Sequence, residues 1–206
     1  MSDSIFAFGL PDGLPRLQAG ARYGIAYADW LLGLRHYHGK GVPQSFGKAA
    51  EHFRRASVGG CILGSRCYAK MLELGQVEYA GVDRALDFYF KAAHGGDATS
   101  QKRVGDAFAY GEWGEQDLKK ALHYLNLASI NGNLLARAHE AFIQVTGVPL
   151  SGSPRAAVMQ LDHRCRSDGG KSAYVTALLR MSGYGMESPD YPGALCVMAL
   201  YPSKPT

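Results

Sequence analysis

Chemistry in this chain would have to come from its histidines, cysteines, carboxylates and glycine-rich turns, so their spacing comes first. Gly170-Lys171-Ser172 has the ending of a phosphate-cradling loop, in which backbone amides, a lysine and a hydroxyl hold nucleotide phosphates and magnesium. Cys165 stands where that loop's first glycine belongs, and no strand pattern leads into it, so a turn joining helices accounts for the segment better. Gly9 to Gly13 and Gly20 to Gly24 lack the Gly-x-Gly-x-x-Gly arrangement of a dinucleotide site. His36 and His38 flank Tyr37, and residues two apart on a helix point to different sides, so a metal there needs ligands from elsewhere. His139 beside Glu140 and His163 beside Asp162 are sequence neighbours, which do not face each other on a helix. They read as ordinary helical positions. No catalytic residue, no metal site and no cofactor is therefore expected.

The cysteines are Cys61, Cys67, Cys165 and Cys196. Cys61 and Cys67 fall on one predicted helix about 120° apart, a poor geometry for a disulfide between them. Cys165 shares a column with Ser57, Ala93 and Ser129, where a small buried side chain is wanted. Reduced packing thiols are the expectation, and no pair has the close double spacing of a structural zinc site.

The elements that must position any functional residue are set by a repeat. A glycine returns every 36 residues, at Gly39, Gly75, Gly111, Gly147 and Gly183. In the same register run Ala49, Ala85, Ala121 and Ala157, and the larger residues Phe53, Tyr89, Leu125 and Leu161. A period in the thirties marks stacked supersecondary units, each too small to bury its own apolar face. The unit from Ala28 to Gly60 holds two amphipathic stretches, separated by Gly39-Lys-Gly41-Val42-Pro43 and closed by Gly59-Gly60, which predicts helix, turn, helix, turn. Small residues at Ala28, Gly64, Ser100, Ala136 and Ser172, and at Gly33, Ala69, Gly105, Ala141 and Ala177, let a second backbone approach each first helix. Gly60, Gly96 and Gly132 sit where left-handed caps end the second helices.

Units are drawn near 21–60, 61–96, 97–132, 133–170 and 171–200, with 1–20 as an amino-terminal capping segment and 201–206 as a tail. The charge is mild, with 22 Lys plus Arg against 18 Asp plus Glu, far from the dense basic stripe that nucleic-acid binding leaves. The start of the chain lacks the basic and apolar regions of a secretion signal, and no apolar stretch of about 18 residues spans a membrane. A soluble, cytoplasmic protein without nucleic-acid or membrane partners is expected.

The pattern small-x-x-x-Leu-Gly, then Gly-x-Gly-Val, then Lys-Ala and an alanine followed by Gly-Gly resembles the SEL-one-like repeat, a relative of the tetratricopeptide repeat. The resemblance covers roughly residues 21 to 200. Middle units depart from it at Gly75-Gln-Val, Gly111-Glu-Trp and Gly147-Val-Pro, and the fourth carries Arg164 where Ala56, Ala92 and Ala128 stand, so irregular stacking is expected there. The resemblance implies an all-α, right-handed α-solenoid of about five helix-turn-helix repeats. It also implies a non-catalytic adaptor or scaffold that binds a peptide or protein on a concave face lined by the first helices. A bacterial immunity protein that neutralises a cognate toxin is the alternative within binding. An enzyme or metal-binding protein is the alternative of another class, which a metal analysis and an activity screen would dispose of.

A helical wheel places the columns of Tyr27, Trp30, Leu34 and Tyr37 opposite the buried column of Ala28, Leu32 and His36. Down the array those columns supply the candidate partner-binding residues: Tyr27, Trp30, Leu34, Tyr37, Arg66, Lys70, Lys102, Asp106, Phe142 and Tyr174, with Arg103 flanking. Two readings stand for the apolar outer columns: burial beneath the terminal segments, or a partner groove with aromatic anchors. The basic residues read either as a solvated face or as a stripe suited to a partner of acidic character. Replacing Trp30 or Arg66 by alanine is expected to weaken partner binding without unfolding the array.

Overall fold

The architecture comes from a computed structural model that describes residues 13–77, 84–150 and 171–182, with the single positions 157, 161, 184, 190 and 194. Among the described residues there are helices and turns and no strand. The helices are α1 (Gly13–Arg22), α2 (Ala26–His38), α3 (Phe46–Val58), α4 (Ile62–Glu73), α5 (Ala85–His94), α6 (Ala98–Tyr110), α7 (Leu118–Ile130), α8 (Leu134–Thr146) and α9 (Lys171–Met181). The chain divides into two compact units, Met1–Ser100 and Gln101–Thr206.

Turn chemistry ends each helix where the sequence changes. The ladder glycines Gly39, Gly75, Gly111 and Gly147 have φ between 64° and 75°, in the left-handed region that a side chain disfavours. Gly60, Gly96 and Gly132, after the second helices, have φ of 86° to 90°. At the other ends the Ser45, Asp117 and Asn133 side chains accept the amides of Lys48, Lys120 and Ala136, supplying partners that helix starts otherwise lack. The departure at Gly111-Glu-Trp leaves the turn's ties intact. In the first repeat the Ser45 amide donates to His36 O and Gln44 Nε2 donates to Tyr37 O, both at 2.9 Å. At the equivalent positions of the third, the Asp117 amide donates to Phe108 O at 2.9 Å and Gln116 Nε2 to Ala109 O at 2.7 Å.

The small and large columns meet as complementary shapes. A methyl placed on Gly33 would lie 2.6 Å from two ring carbons of Phe53, and one on Gly105 would lie 2.9 Å from Leu125 Cγ. Each glycine thus admits a large residue of the second helix against the first helix's backbone. Phe53 is fully buried among Ala49, Ala50, Tyr68 and Met71, and such burial stabilises by about 1.5–3 kcal/mol per side chain. In the carboxy-terminal unit, Leu125 packs with Ala109, Ala121, Ala128, Ala136 and Ile143, and Phe142 with Leu150, Leu161, Val175 and Leu178. The segment drawn as a cap contains a helix: α1 lays Leu14 and Leu17 against Ala21, Ala28 and Leu32. Residues 1–12 and 201–206, Cys165, Cys196, Asp162, His163, Arg164 and Gly183 lie outside the described residues.

Candidate interaction surface

The amino-terminal unit carries an aromatic group on its first helices. Tyr27 is 50% exposed, and its ring sits 5.0 Å from that of Trp30. Trp30, Leu34 and Tyr37 are half-buried, each resting one side on the Phe53 cluster. Tyr23 and Ile25, just before α2, are 87% and 55% exposed, so the apolar surface continues past the helix start. The buried Nε1 of Trp30 meets no oxygen or nitrogen acceptor; the Cys67 thiol is its polar neighbour. Burial pushes that thiol above its ordinary value, outweighing the opposing pull of the Trp30 indole and the Arg66 guanidinium. Cys67 therefore stays a protonated packing group, and both it and Cys61 are free thiols.

The basic residues are each held by a carboxylate. Arg66 pairs with Asp97 at 2.8 Å, and Lys70 with Glu73 at 2.9 Å. In the other unit Lys102 pairs with Asp106 at 2.5 Å, and Arg103 with Glu112 at 2.6 Å while lying 5.0 Å over the Trp113 ring. Arg66 has a structural task besides, because Asp97 also accepts the Ser100 amide at the start of α6. It is therefore a poor probe of binding alone. Each residue of the expected basic stripe is thus neutralised within its own unit.

Other candidates go elsewhere. Phe142 is 1% exposed and belongs to the core, because Leu161, Val175 and Leu178 close over its column, so it offers no surface. Tyr174 is 38% exposed, with the Arg137 guanidinium 5.9 Å from its ring centre. Lys171 is exposed and Ser172 fully buried at the start of α9, a packing arrangement. His36 stacks on His52 at 5.6 Å and lies 3.3 Å from Pro43 O. Among the described residues no three His, Cys, Asp or Glu side chains gather as a metal site would require, and no helix is long and apolar enough to cross a membrane. An open groove of about 490 Å³ at the α6–α7 turn, lined by Phe108, Trp113, Leu118 and Lys120 among others, contains none of the candidate residues.

Sequence reasoning missed two buried carboxylate–imidazole pairs. Asp29, 3% exposed, accepts from or ion-pairs with His52 Nδ1 at 2.9 Å, with Arg55 at 3.5 Å from its other oxygen. Asp106 lies 2.8 Å from Nδ1 of His139, which is 2% exposed. Burial pushes the Asp106 carboxyl up, but the hydrogen bond from His139 and the Lys102 ammonium outweigh it and hold it below the usual carboxylate value. A usable signal existed: Asp106 and His139 are 33 residues apart, three short of the period. That offset puts them on successive first helices, displaced by most of one turn.

The family model described as Sel1 repeat matches residues 26–60, 63–97 and 98–133. An uncharacterized protein of Neisseria meningitidis serogroup B is 28% identical over 109 residues, covering 53% of this chain and 22% of the relative. The chain thus spans less than a quarter of that curated relative's length. A Sel1 repeat protein from Oxalobacter formigenes superposes with a TM-score of 0.67 at 19% identity, over 98% of this chain and 83% of that one. A protective antigen of uropathogenic Escherichia coli displaying an SLR fold gives 0.64 at 21% identity, over 91% of this chain and 40% of the other. At these identities the likeness shows the fold.

Proposed function

This chain belongs to the Sel1 repeat family, and we propose that it is a non-catalytic protein-interaction module whose binding face is the first-helix surface of the amino-terminal unit. The observation that carries this reading is the exposed run Tyr23, Ile25 and Tyr27 beside the half-buried Trp30. Contiguous exposed apolar surface on a folded domain marks interaction sites, and rigid aromatic side chains dominate interface energetics at small entropic cost. Tyr27 is the anchor; Trp30 supports it from below. Charge plays a smaller part than the composition of the stripe suggests. An acidic partner has to compete with Asp97 and Glu73 for Arg66 and Lys70: the largely buried Asp97 holds Arg66 within the fold, and the exposed Lys70–Glu73 pair exchanges for little net gain, about 0–1 kcal/mol.

The test is affinity purification from source cells with the wild-type chain and with Tyr27→Ala, whose helical fold is checked by circular dichroism. The reading requires a protein recovered with wild type to be lost or weakened with the variant. Equal recovery from a folded variant removes Tyr27 from the interface. One partner held tightly favours an immunity or inhibitor role, whereas several weak ones favour an adaptor.

A further inference from the structure

The α8 helix ends at Gly147, and the turn that follows has few ties of its own. The Gly147 amide donates to Ile143 O and the Val148 amide to Thr146 Oγ1, while Pro149 has no amide proton to give. Leu150 is different. It is 5% exposed in the Phe142 cluster, and both of its backbone groups are held by side chains from outside the turn. Its amide donates to His139 Nε2 at 3.0 Å, and its carbonyl accepts the hydroxyl of Tyr110. The Tyr110 ring lies 5.8 Å from that of His139, inclined by 29°.

These contacts fix the state of the imidazole. Nε2 accepts a hydrogen bond and so carries no proton; Nδ1, 2.8 Å from the Asp106 carboxylate, must carry one. His139 is therefore neutral, with Nδ1–H donating to Asp106. An added proton goes to Nε2, where it faces the Leu150 N–H: two donors with no acceptor between them. The imidazolium keeps its bond to Asp106 and loses the one to Leu150.

We propose that His139 is a protonation-controlled latch: uncharged, it holds Leu150 and the 147–150 turn to α8; charged, it lets them go. The groups that face it are Asp106, Lys102 and Tyr110 of α6, with Glu112 beyond that helix and Tyr184 beyond α9 acting through Tyr110. Burial, then the charge of Asp106, push the Tyr110 phenol above its ordinary value, so it remains a hydroxyl donor throughout. Asp106 remains a carboxylate well into acid because His139 and Lys102 stabilise its charged form against burial. His139 is thus the group of this cluster whose change of charge reverses a hydrogen bond. The amino-terminal pair supplies an internal control. His52 also meets a buried aspartate, but no backbone amide donates to its second nitrogen among the described hydrogen bonds, so protonation there breaks nothing comparable.

The experiment is amide hydrogen exchange resolved at Leu150 in the full chain, corrected for the chemical dependence of exchange on pH. As pH is lowered from about 7.5 until His139 takes up its second proton, followed by nitrogen NMR of the ring, protection at Leu150 should fall about tenfold or more. In His139→Gln the corrected protection should not vary with pH, and in His52→Gln it should fall as in wild type. The latch is overturned if wild-type protection is constant, if His139→Gln shows the same fall, or if His52→Gln abolishes it. Should His139→Gln fail to fold, nitrogen NMR of the wild-type ring decides the matter. A bare Nε2 at about pH 7.5 supports the latch, and a protonated Nε2 refutes it.

Discussion

Gly33→Ala and Gly47→Ala make the same chemical change in adjacent helices, and the structure gives them opposite signs. At Gly33 the added methyl lies 2.6 Å from Phe53 Cδ1 and Cε1 and 3.2 Å from Cγ, against the roughly 3.5–4.0 Å of a favourable carbon contact. Phe53 is 1% exposed and enclosed by Ala49, Ala50, Tyr68 and Met71, so its ring has nowhere to swing. Overpacking of this order costs about 1–3 kcal/mol. Alanine's higher helix propensity returns about 1 kcal/mol, leaving Gly33→Ala destabilised by up to about 2 kcal/mol. At Gly47, in the first turn of α3, a methyl meets nothing within 4 Å, so only a propensity gain remains, at most the about 0.5–1 kcal/mol of a helix interior. The assay is urea unfolding followed by Trp30 fluorescence, with Trp113→Phe as background so that the reporter lies in the amino-terminal unit. Shrinking the opposing ring should recover part of the loss, so Gly33→Ala with Phe53→Leu should cost less than the two changes added separately. A Gly33→Ala variant stabilised as much as Gly47→Ala would refute the close-approach explanation of the small-residue column.

Further expectations follow from the buried charges and the caps. Asp106 has a folded-state value below its unfolded one, so its contribution is complete above the ordinary carboxylate range and is lost as pH falls through the folded value. With Trp30→Phe as background, so that Trp113 reports, the urea midpoint should therefore drop more steeply between about pH 5 and about pH 3 with Asp106 present than in Asp106→Asn, which should be the less stable at neutral pH. Equal slopes would contradict this. Asp97→Ala removes both the acceptor for the Ser100 amide and the partner of Arg66, and should cost about 1–2 kcal/mol in equilibrium unfolding, more than Asp97→Asn, which keeps a capping oxygen. Ser45→Ala should cost about 1 kcal/mol through the lost bond to the Lys48 amide, and Ser45→Asp should cost almost nothing.

The fold was legible where a residue's job depends on its own repeat. The glycine ladders mark left-handed helix ends because no other residue adopts that backbone cheaply, and Gly33 opposite Phe53 or Gly105 opposite Leu125 could be read from column size alone. The departure at Gly111-Glu-Trp was legible as a change, yet not as a harmless one, because the turn is held by backbone carbonyls and Gln116 instead of by the missing second glycine. Helix α1 was hidden among glycines and prolines whose low propensity is overridden by burying Leu14 and Leu17 against α2. The candidate surface was legible in part. A wheel tells which side of a helix a residue leaves from, so Tyr27 could be placed facing outward. It does not tell what the next helix brings, and so it missed Asp97 beside Arg66, His139 beside Asp106, and the leucines that bury Phe142.

On the proposed function, protein partners are met on the first-helix face around Tyr27. Photo-crosslinking in source cells measures this most directly, with a photoreactive phenylalanine analogue placed at Tyr27 and, as control, at the exposed Glu51 of the neighbouring second helix α3. A discrete protein adduct is expected from position 27 and none of the same mass from position 51. No adduct at 27, or the same adduct from both positions, would contradict it.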